Sequence, residues 1–451
     1  MPAVQPAAAA GTVVVTTYGA TGTGATNDTH AFVSALADLD GMGGGTLVVP
    51  PGNYLVDPDA INVHSHIVVS GAGARLFASH GGNILLDLNG SGIEVDGLTI
   101  DGTQQVLHVV EIERGSTNIT VRGATVENAG QPPNNSAQVV GIRVQGDGNS
   151  MTFDGVTVQN IVATNSDGTS MIARGLLLDT GGGASTVSKH VSVVNSTFFE
   201  VAPKDDGDCI VIQNSSDVDA ALVIDNNQFD RCHKRAIKLQ VGGVTVTNNH
   251  INNPFHGDNA YKVRQEKFDP ATGKPTFDMF SAIAAHASDI VIQNNTVGGT
   301  GSFYMGLEVD NAQGTGPIQN LTLTGTSIAN GPGSETGAPS SMVRSAVGIN
   351  GLTIENNVFT NAPYGMFLEQ PVTNATITCN TYVAISNQTA NANGTETPCD
   401  VPPVSGGGPG GSPSPGATPE LDSLVLFASG LGGLAMYIPR MRRRRKGKSS
   451  R

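Results

Sequence analysis

No helical period separates the apolar segments of this chain, which excludes an α/β fold built on crossover helices. The Leu-x-x-Leu-x-Leu spacing of a leucine-rich repeat is missing too. Tryptophan is absent, and only 14% of residues are charged. None of the four cysteines stands at a zinc-binding spacing. Basic residues are scarce over most of the length. The formal net charge is −14, and eight of the 24 Lys and Arg fall within Arg440–Arg451. The remaining body carries 16 basic against 38 acidic residues, a balance that does not suit nucleic acid or acidic lipid. A polyanionic substrate is disfavoured as well, unless Ca²⁺ bridges the two.

What is present is a short recurring phrase, apolar-x-apolar-x-(Gly/Asn)-x-x-apolar. It reads Ile93-Glu94-Val95-Asp96-Gly97, Leu222-Val223-Ile224-Asp225-Asn226, Val244-Thr245-Val246-Thr247-Asn248 and Leu352-Thr353-Ile354-Glu355-Asn356, among others. Its Gly/Asn falls at 97, 123, 155, 195, 226, 248, 294, 325 and 356, and Cys379 takes that place last. The shortest gaps, 22 and 23, suggest the repeat unit. Period-2 alternation in a unit of this size means a solenoid of stacked coils, an all-β parallel β-helix. Each unit holds a second short strand, such as Gly141–Gln145, Gly175–Asp179, Cys209–Gln213, Ala236–Gln240, Gly306–Asp310, Ala346–Asn350 and Gly365–Glu369. Asn226-Asn227, Asn248-Asn249, Asn294-Asn295 and Asn356-Asn357 share one register, where stacked side chains hydrogen-bond along the axis. Some ten to twelve coils at roughly 4.8 Å make a rod on the order of 50 Å, and its open ends call for caps.

Asn27 or Asp28 is placed to cap a helix from about Thr29 to Leu39, with Ala31, Phe32, Ala35 and Leu36 on one face. Gly43-Gly44-Gly45 ends it and Thr46–Val49 opens the first strand. The segments Tyr18–Leu36 (YGATGTGATNDTHAFVSAL) and Gly43–Tyr54 (GGTLVVPPGNY after Gly43) resemble the opening of the pectate-lyase-like β-helix superfamily, which includes polygalacturonase relatives and phage tailspike depolymerases. Thr23 and Asn27 stand where that pattern has Asp. The resemblance implies a right-handed parallel β-helix and a polysaccharide partner, and is less specific for activity.

The expected organisation is a disordered N-terminus (1–11), a β-helix domain (12–400, cap 17–54), a Gly/Pro/Ser linker (401–419) and a tail (420–451). The apolar run 421–438 is long enough for a marginal membrane span, and the arginines after it predict a cytoplasmic C-terminus with the β-helix outside. Pro419-Glu420, the apolar run and the arginine cluster resemble a PEP-CTERM-type sorting tail of bacterial envelope proteins, with Leu421 at the third place. That implies a sorting enzyme as a further partner. Met1–Ala10 lacks the basic start and apolar core of an export signal, so the expected start lies upstream. Pairing of Cys209 with Cys232, and of Cys379 with Cys399, would suit an oxidising compartment.

The second strands, set in register, place a polar stripe along the rod. It runs through Arg143, Asp179, Gln213, Gln240, His286, Glu308 and Asp310, with Asn350 and Glu369 beyond, and these are the expected substrate-binding positions. The densest chemistry precedes two adjacent strands: Lys204-Asp205-Asp206-Gly207-Asp208-Cys209 and Arg231-Cys232-His233-Lys234-Arg235-Ala236-Ile237-Lys238. Register stacks Arg174, Asp208 and Arg235 in one column and Asp206 on His233. A carboxylate beside His is an acid/base pair, and two carboxylates equip a site for glycoside hydrolysis. Alternatively, Lys238 or Arg235 abstracts a proton α to a uronate carboxylate, with Ca²⁺ on Asp205, Asp206 and Asp208 neutralising charge. Asp206-Gly-Asp208-Cys209-Ile210 resembles the Asp-Asp-Cys-Ile segment of polygalacturonases, which implies catalysis around Asp206, Asp208, His233, Arg235 and Lys238. The insertion Phe255–Asp278, with Tyr261, Phe268 and Phe277, adjoins this region. Two functions remain open. One is an envelope-anchored polysaccharide hydrolase or lyase, the hydrolase needing no cofactor and the lyase taking Ca²⁺. The other is a non-catalytic rod for adhesion or carbohydrate binding.

Overall fold

The computed structural model describes residues 11–165, 171–202, 206–213, 219–252, 281–298, 305–312, 314, 316–329, 341–390 and 399, and the backbone of the antiparallel pair 266–268 and 275–277. Asp205, most of the 255–278 insertion, the linker and the tail with its apolar run lie outside these residues. The chain divides into two compact units, Met1–Cys399 and Asp400–Arg451, and the first holds every strand of the β-helix.

Each coil contributes three strands to two long parallel sheets. In the first sheet, strands such as Ser91–Asp96, Thr117–Arg122, Asn149–Asp154 and Lys189–Val194 pair in unbroken succession. Its path carries thirteen strands, from Gly11–Val14 to Val372–Thr373. At about 4.8 Å per step the stack is on the order of 60 Å long. The second sheet holds the other two strands of each coil, for example Thr197–Ala202 and Asp206–Ile212. Inside lies one continuous core of Val, Ile, Leu and Phe, with Phe153, Phe198, Phe229 and Phe359 fully buried.

The recurring Gly/Asn marks a corner. All nine positions, and Cys379 after them, have φ between 53° and 69°, the left-handed region. An ordinary L-residue pays roughly 1–2 kcal/mol there; Gly escapes the clash and Asn offsets it with local hydrogen bonds. The residue after the corner points inward. Asn227, Asn249, Asn295 and Asn357 are buried and form the expected ladder. Asn249 Oδ1 accepts from Asn227 N and Nδ2 at 3.0 Å each, while Asn249 Nδ2 donates to Asn295 Oδ1 at 3.0 Å. Thr326 Oγ1 and Asn380 Oδ1 continue it. The hydrogen bonds of each inner corner are thus satisfied by the coil beside it.

A helix, Thr29–Met42, covers the first coil with Ala31, Phe32, Ala35, Leu36 and Leu39 buried. It runs three residues further than expected, to Gly43 at φ 81°. Its first N–H group goes to Asn27 Oδ1 (Thr29 N, 2.9 Å). Asp28 instead accepts from Thr21 N and Gly22 N, which ties down the preceding turn. Cys209 and Cys232 are joined across adjacent coils with Cα atoms 5.4 Å apart, and Cys379 is joined to Cys399.

Candidate functional site

On the outward side of the second sheet the strands align two columns. One reads Asp87, Glu111, Arg143, Leu177, Val211, Lys238, Ala284, Glu308, Arg344 and Phe367. Beside it Gln145, Asp179, Gln213, Gln240, His286, Asp310, Ala346 and Glu369 follow one another, each N–H bonded to a carbonyl one coil earlier. The stripe expected from the sequence is therefore real, with one correction. Asn350 belongs to the first sheet, paired with Gln319, and the strand on the stripe is Ser341–Ser345 with Arg344 outward. The apolar-x-apolar run Val347–Ile349 imitates a strand of the stripe, but Val347 lies in the bend and Ile349 opens a strand of the first sheet, paired with Ile318.

The column Arg174–Asp208–Arg235 stands as read from the sequence. Asp208 lies 3.1 Å from Arg174 Nη1 and 3.6 Å from Arg235 Nη1, and its side chain is 0% exposed. Asp206 pairs with Arg174, and Lys234 Nζ reaches its other oxygen at 3.0 Å. Burial opposes the Asp206 charge, yet Arg174 and Lys234 hold its carboxyl far below the usual range. Arg235 continues to Glu308 at 3.4 Å, reaching past Ser281 and Ala284, whose small side chains leave room. Glu308 also takes His286 Nε2 at 3.1 Å and Ser281 Oγ at 2.8 Å. Burial alone would raise the Glu308 carboxyl; Arg235 and His286 outweigh it and hold it at about 2.

The Asp206–His233 pairing is different from expectation. Val201 pairs with Cys232 and Asp208 with Arg235, so six residues separate the paired positions in one coil and two in the next. Counting back from Asp208 therefore does not carry Asp206 onto His233. The His233 backbone bonds Val201 O, and its Nε2 lies 2.9 Å from Glu200 Oε1. His233 is buried against Glu200, which Arg231 also meets at 3.0 Å.

The expected site residues thus separate. Asp208, His233, Arg235, His286 and Glu308 are buried in ion pairs. Arg143 is held between Glu111 (3.3 Å) and Asp179 (3.1 Å). Asp179, Asp206, Gln213, Lys238 and Gln240 line one cleft of about 680 Å³, together with the edge of Arg174. Beside it Val140, Leu177 and Val211 make a small apolar cluster outside the main core. Lys238 differs from its neighbours. Among the described residues it makes no hydrogen bond or ion pair, and burial, with Arg235 and Arg174 nearby, lowers its amine against the pull of Asp208 and Asp206. The stripe also contains groups not expected from the sequence: Asp87, Glu111 and Arg344. Leu86-Asp87-Leu88 and Val110-Glu111-Ile112 carry the same apolar-x-apolar signal in the two coils before Arg143.

Of the calcium ligands expected at Asp205, Asp206 and Asp208, Asp205 lies outside the described residues, and the other two side chains do not suit the ion. Arg174, Lys234 and Arg235 already surround both carboxylates, and a divalent cation there would face three fixed positive charges. Among the described residues no group of three His, Cys, Asp or Glu is gathered for a metal.

These features define a right-handed parallel β-helix with a polar cleft on one outer face. Residues 12–257 match the family described as rhamnogalacturonase A/epimerase, pectate lyase-like, and the chain belongs to that family. Residues 188–382 match the right-handed β-helix region. No curated protein matches the sequence. The fold is similar to PfbA, a surface adhesin of Streptococcus pneumoniae, at 16% identity and TM-score 0.62, covering 84% of this chain and 93% of that one. A second structure of that adhesin gives 16%, 0.58, 84% and 99%. Dettilon tailspike protein gives 14% and 0.54, covering 84% and 70%. At such identities the likeness is one of fold.

Proposed function

We propose that this β-helix binds a polysaccharide in the Asp206–Lys238 cleft and cleaves it by elimination, acting on a uronate-containing chain. The observation that carries this reading is Lys238, an amine with a lowered pKa and no ion pair among the described residues, in a cleft where the other charges are paired. Lowering the pKa enlarges the deprotonated fraction of the amine, and that form is a proton acceptor. It takes the proton at C5, the electron pair forms the C4–C5 double bond, and the C4–O4 bond breaks. The leaving oxygen takes a proton from water. The edge of Arg174 faces the uronate carboxylate as charge builds there, and with Lys238 it offsets locally the repulsion of the acidic body that calcium was expected to bridge. Hydrolysis through Asp206 and Asp208 is less well supported. Asp206 is held ionised and has no proton to give, and Asp208 has no exposed surface. The tail 420–451 would carry the rod on the outer face of a bacterial envelope, with a sorting enzyme as the agent that processes it.

A second reading is a non-catalytic carbohydrate-binding or adhesive rod. One observation favours it: Asp208, His233 and Arg235 are buried in ion pairs rather than presented to a ligand. Incubation of the full chain with polygalacturonate and alginate separates the readings. Elimination yields unsaturated uronates, seen by ultraviolet absorbance, and Lys238→Met abolishes them. Reducing ends without unsaturation would mean a hydrolase. Binding without any product would leave the adhesive rod.

A further inference from the structure

A second cleft of about 700 Å³ opens further along the same face, bordered by Asp310, Gly314, Pro317, Val347, Gln370 and Thr373. The two clefts lie on one column, which runs from Asp179 through Gln213, Gln240, His286 and Asp310 to Ala346. Among the described residues of that column, none projects between them. His286 is 7% exposed and turned onto Glu308, and Ala346 presents only a methyl group. The segment after Asp310 borders both clefts: Ala312 lines the first, Gly314 and Pro317 the second. Ala312 N donates to His286 O at 2.9 Å, which pins that shared border to the column. From Gln213 to Ala346 is four strand steps, about 19 Å, the length of a short oligosaccharide rather than of one ring.

The second cleft has its own chemistry. Pro317, Pro371 and Val347 supply apolar surface, and Asp310, Gln370 and Thr373 supply polar atoms. Among the described residues no Lys or Arg lines it. Such a surface takes the C–H face of a sugar ring while the polar groups take hydroxyls. A uronate carboxylate there would meet Asp310 with no cation to offset it. We infer that this cleft is a distal subsite for an uncharged sugar unit of the same chain that occupies the Lys238 cleft. The inference rests on the polysaccharide reading of that first cleft.

The test is binding of the full chain to a size ladder of oligogalacturonides, dimer to octamer, and to the same ladder fully methyl-esterified. Affinity is expected to climb roughly tenfold once an oligomer spans both clefts, with the larger climb in the esterified ladder. Asp310→Ala combined with Gln370→Ala removes the climb, so that long and short oligomers bind alike. Asp310→Lys moves the preference of the long oligomers toward the charged ladder. Affinity independent of length, a climb that survives the double substitution, or no binding by any oligomer overturns the inference. A climb removed by the double substitution, without unsaturated product from any oligomer, keeps the subsite and sinks the elimination reading.

Discussion

Asp208 sits between Arg174 and Arg235, 3.1 Å from one guanidinium and 3.6 Å from the other, with no solvent exposure. Its removal leaves two buried cations facing each other across one coil. Breaking one side of a buried ion pair typically costs about 3–5 kcal/mol. Asp208→Asn is therefore expected to lower the unfolding free energy, read from chemical denaturation, by an amount in that range. A variant as stable as the parent would show that the column contributes nothing.

The stripe makes opposite demands on pH. The Glu308 carboxyl, held at about 2 against an ordinary 4.5, contributes stability that is present above 4.5 and lost as pH falls toward 2. The shift corresponds to about 3 kcal/mol. Asp87 has the reverse sign. Burial, then Glu113 and Glu111, push it up from 3.8 to about 7. Its contribution is whole below 3.8 and is lost as pH rises through about 7. Thermal midpoints measured from pH 2 to 8 should peak between roughly 4 and 5. Glu308→Gln flattens the acid limb, and Asp87→Asn flattens the neutral one. If neither limb moves, these two groups do not set the profile.

The disulfide Cys209–Cys232 spans a sequence separation of 23 that includes part of the charged cluster. Chain-entropy arguments give about 3 kcal/mol for such a loop. The double variant Cys209→Ser/Cys232→Ser should unfold at correspondingly lower denaturant, as measured by circular dichroism. An unchanged midpoint would mean that the stacked coils alone hold the two segments.

The two residues of each Asn-Asn corner should respond differently. Asn248, at φ 54°, is expected to accept Gly with little change but to lose about 1–2 kcal/mol as Val. Asn249 is buried and bonded to the coils on both sides, so Asn249→Ala strands the Asn227 N–H and costs about 2–3 kcal/mol. Denaturation of the four proteins side by side checks the order, and equal losses at 248 and 249 would refute it.

If Lys238 is the base, turnover rises with pH through a value below the usual 10.5 of lysine. Lys238→Arg should abolish product without lowering the melting temperature. A profile that falls with rising pH, or turnover retained by the arginine variant, removes Lys238 from the reaction.

The repeat was legible because backbone geometry demands it. A corner in left-handed conformation admits Gly and Asn, and the inward residue beside it must satisfy its neighbour's backbone, so both appear as letters at fixed places. Register within a strand was legible too: Asp208 opposes Arg235 because the inward Ile210 and Ile237 on either strand must share the core. The corners between strands were not. The four extra residues between the paired positions Val201 and Asp208 broke the inferred Asp206–His233 contact, and His233 meets Glu200 instead. Val347–Ile349 carried the letters of a stripe strand, yet Val347 lies in a bend and Ile349 opens a strand of the other sheet, because alternation records which side chains are apolar but not which hydrogen bonds the backbone makes.

The sequence by itself determined the coil, the N-terminal cap, the polar stripe and the pairing of Arg174, Asp208 and Arg235. These follow from local backbone demands repeated at one spacing. Only the tertiary structure decided which of those charges face solvent. Asp208, Arg235 and Glu308 occupy outward positions yet are buried, because arginines reach across neighbouring coils and neutralise the acids there. Lys238, at an equally outward position, is left open to the cleft. A side chain's reach past its own coil is a three-dimensional quantity, and no period in the sequence encodes it.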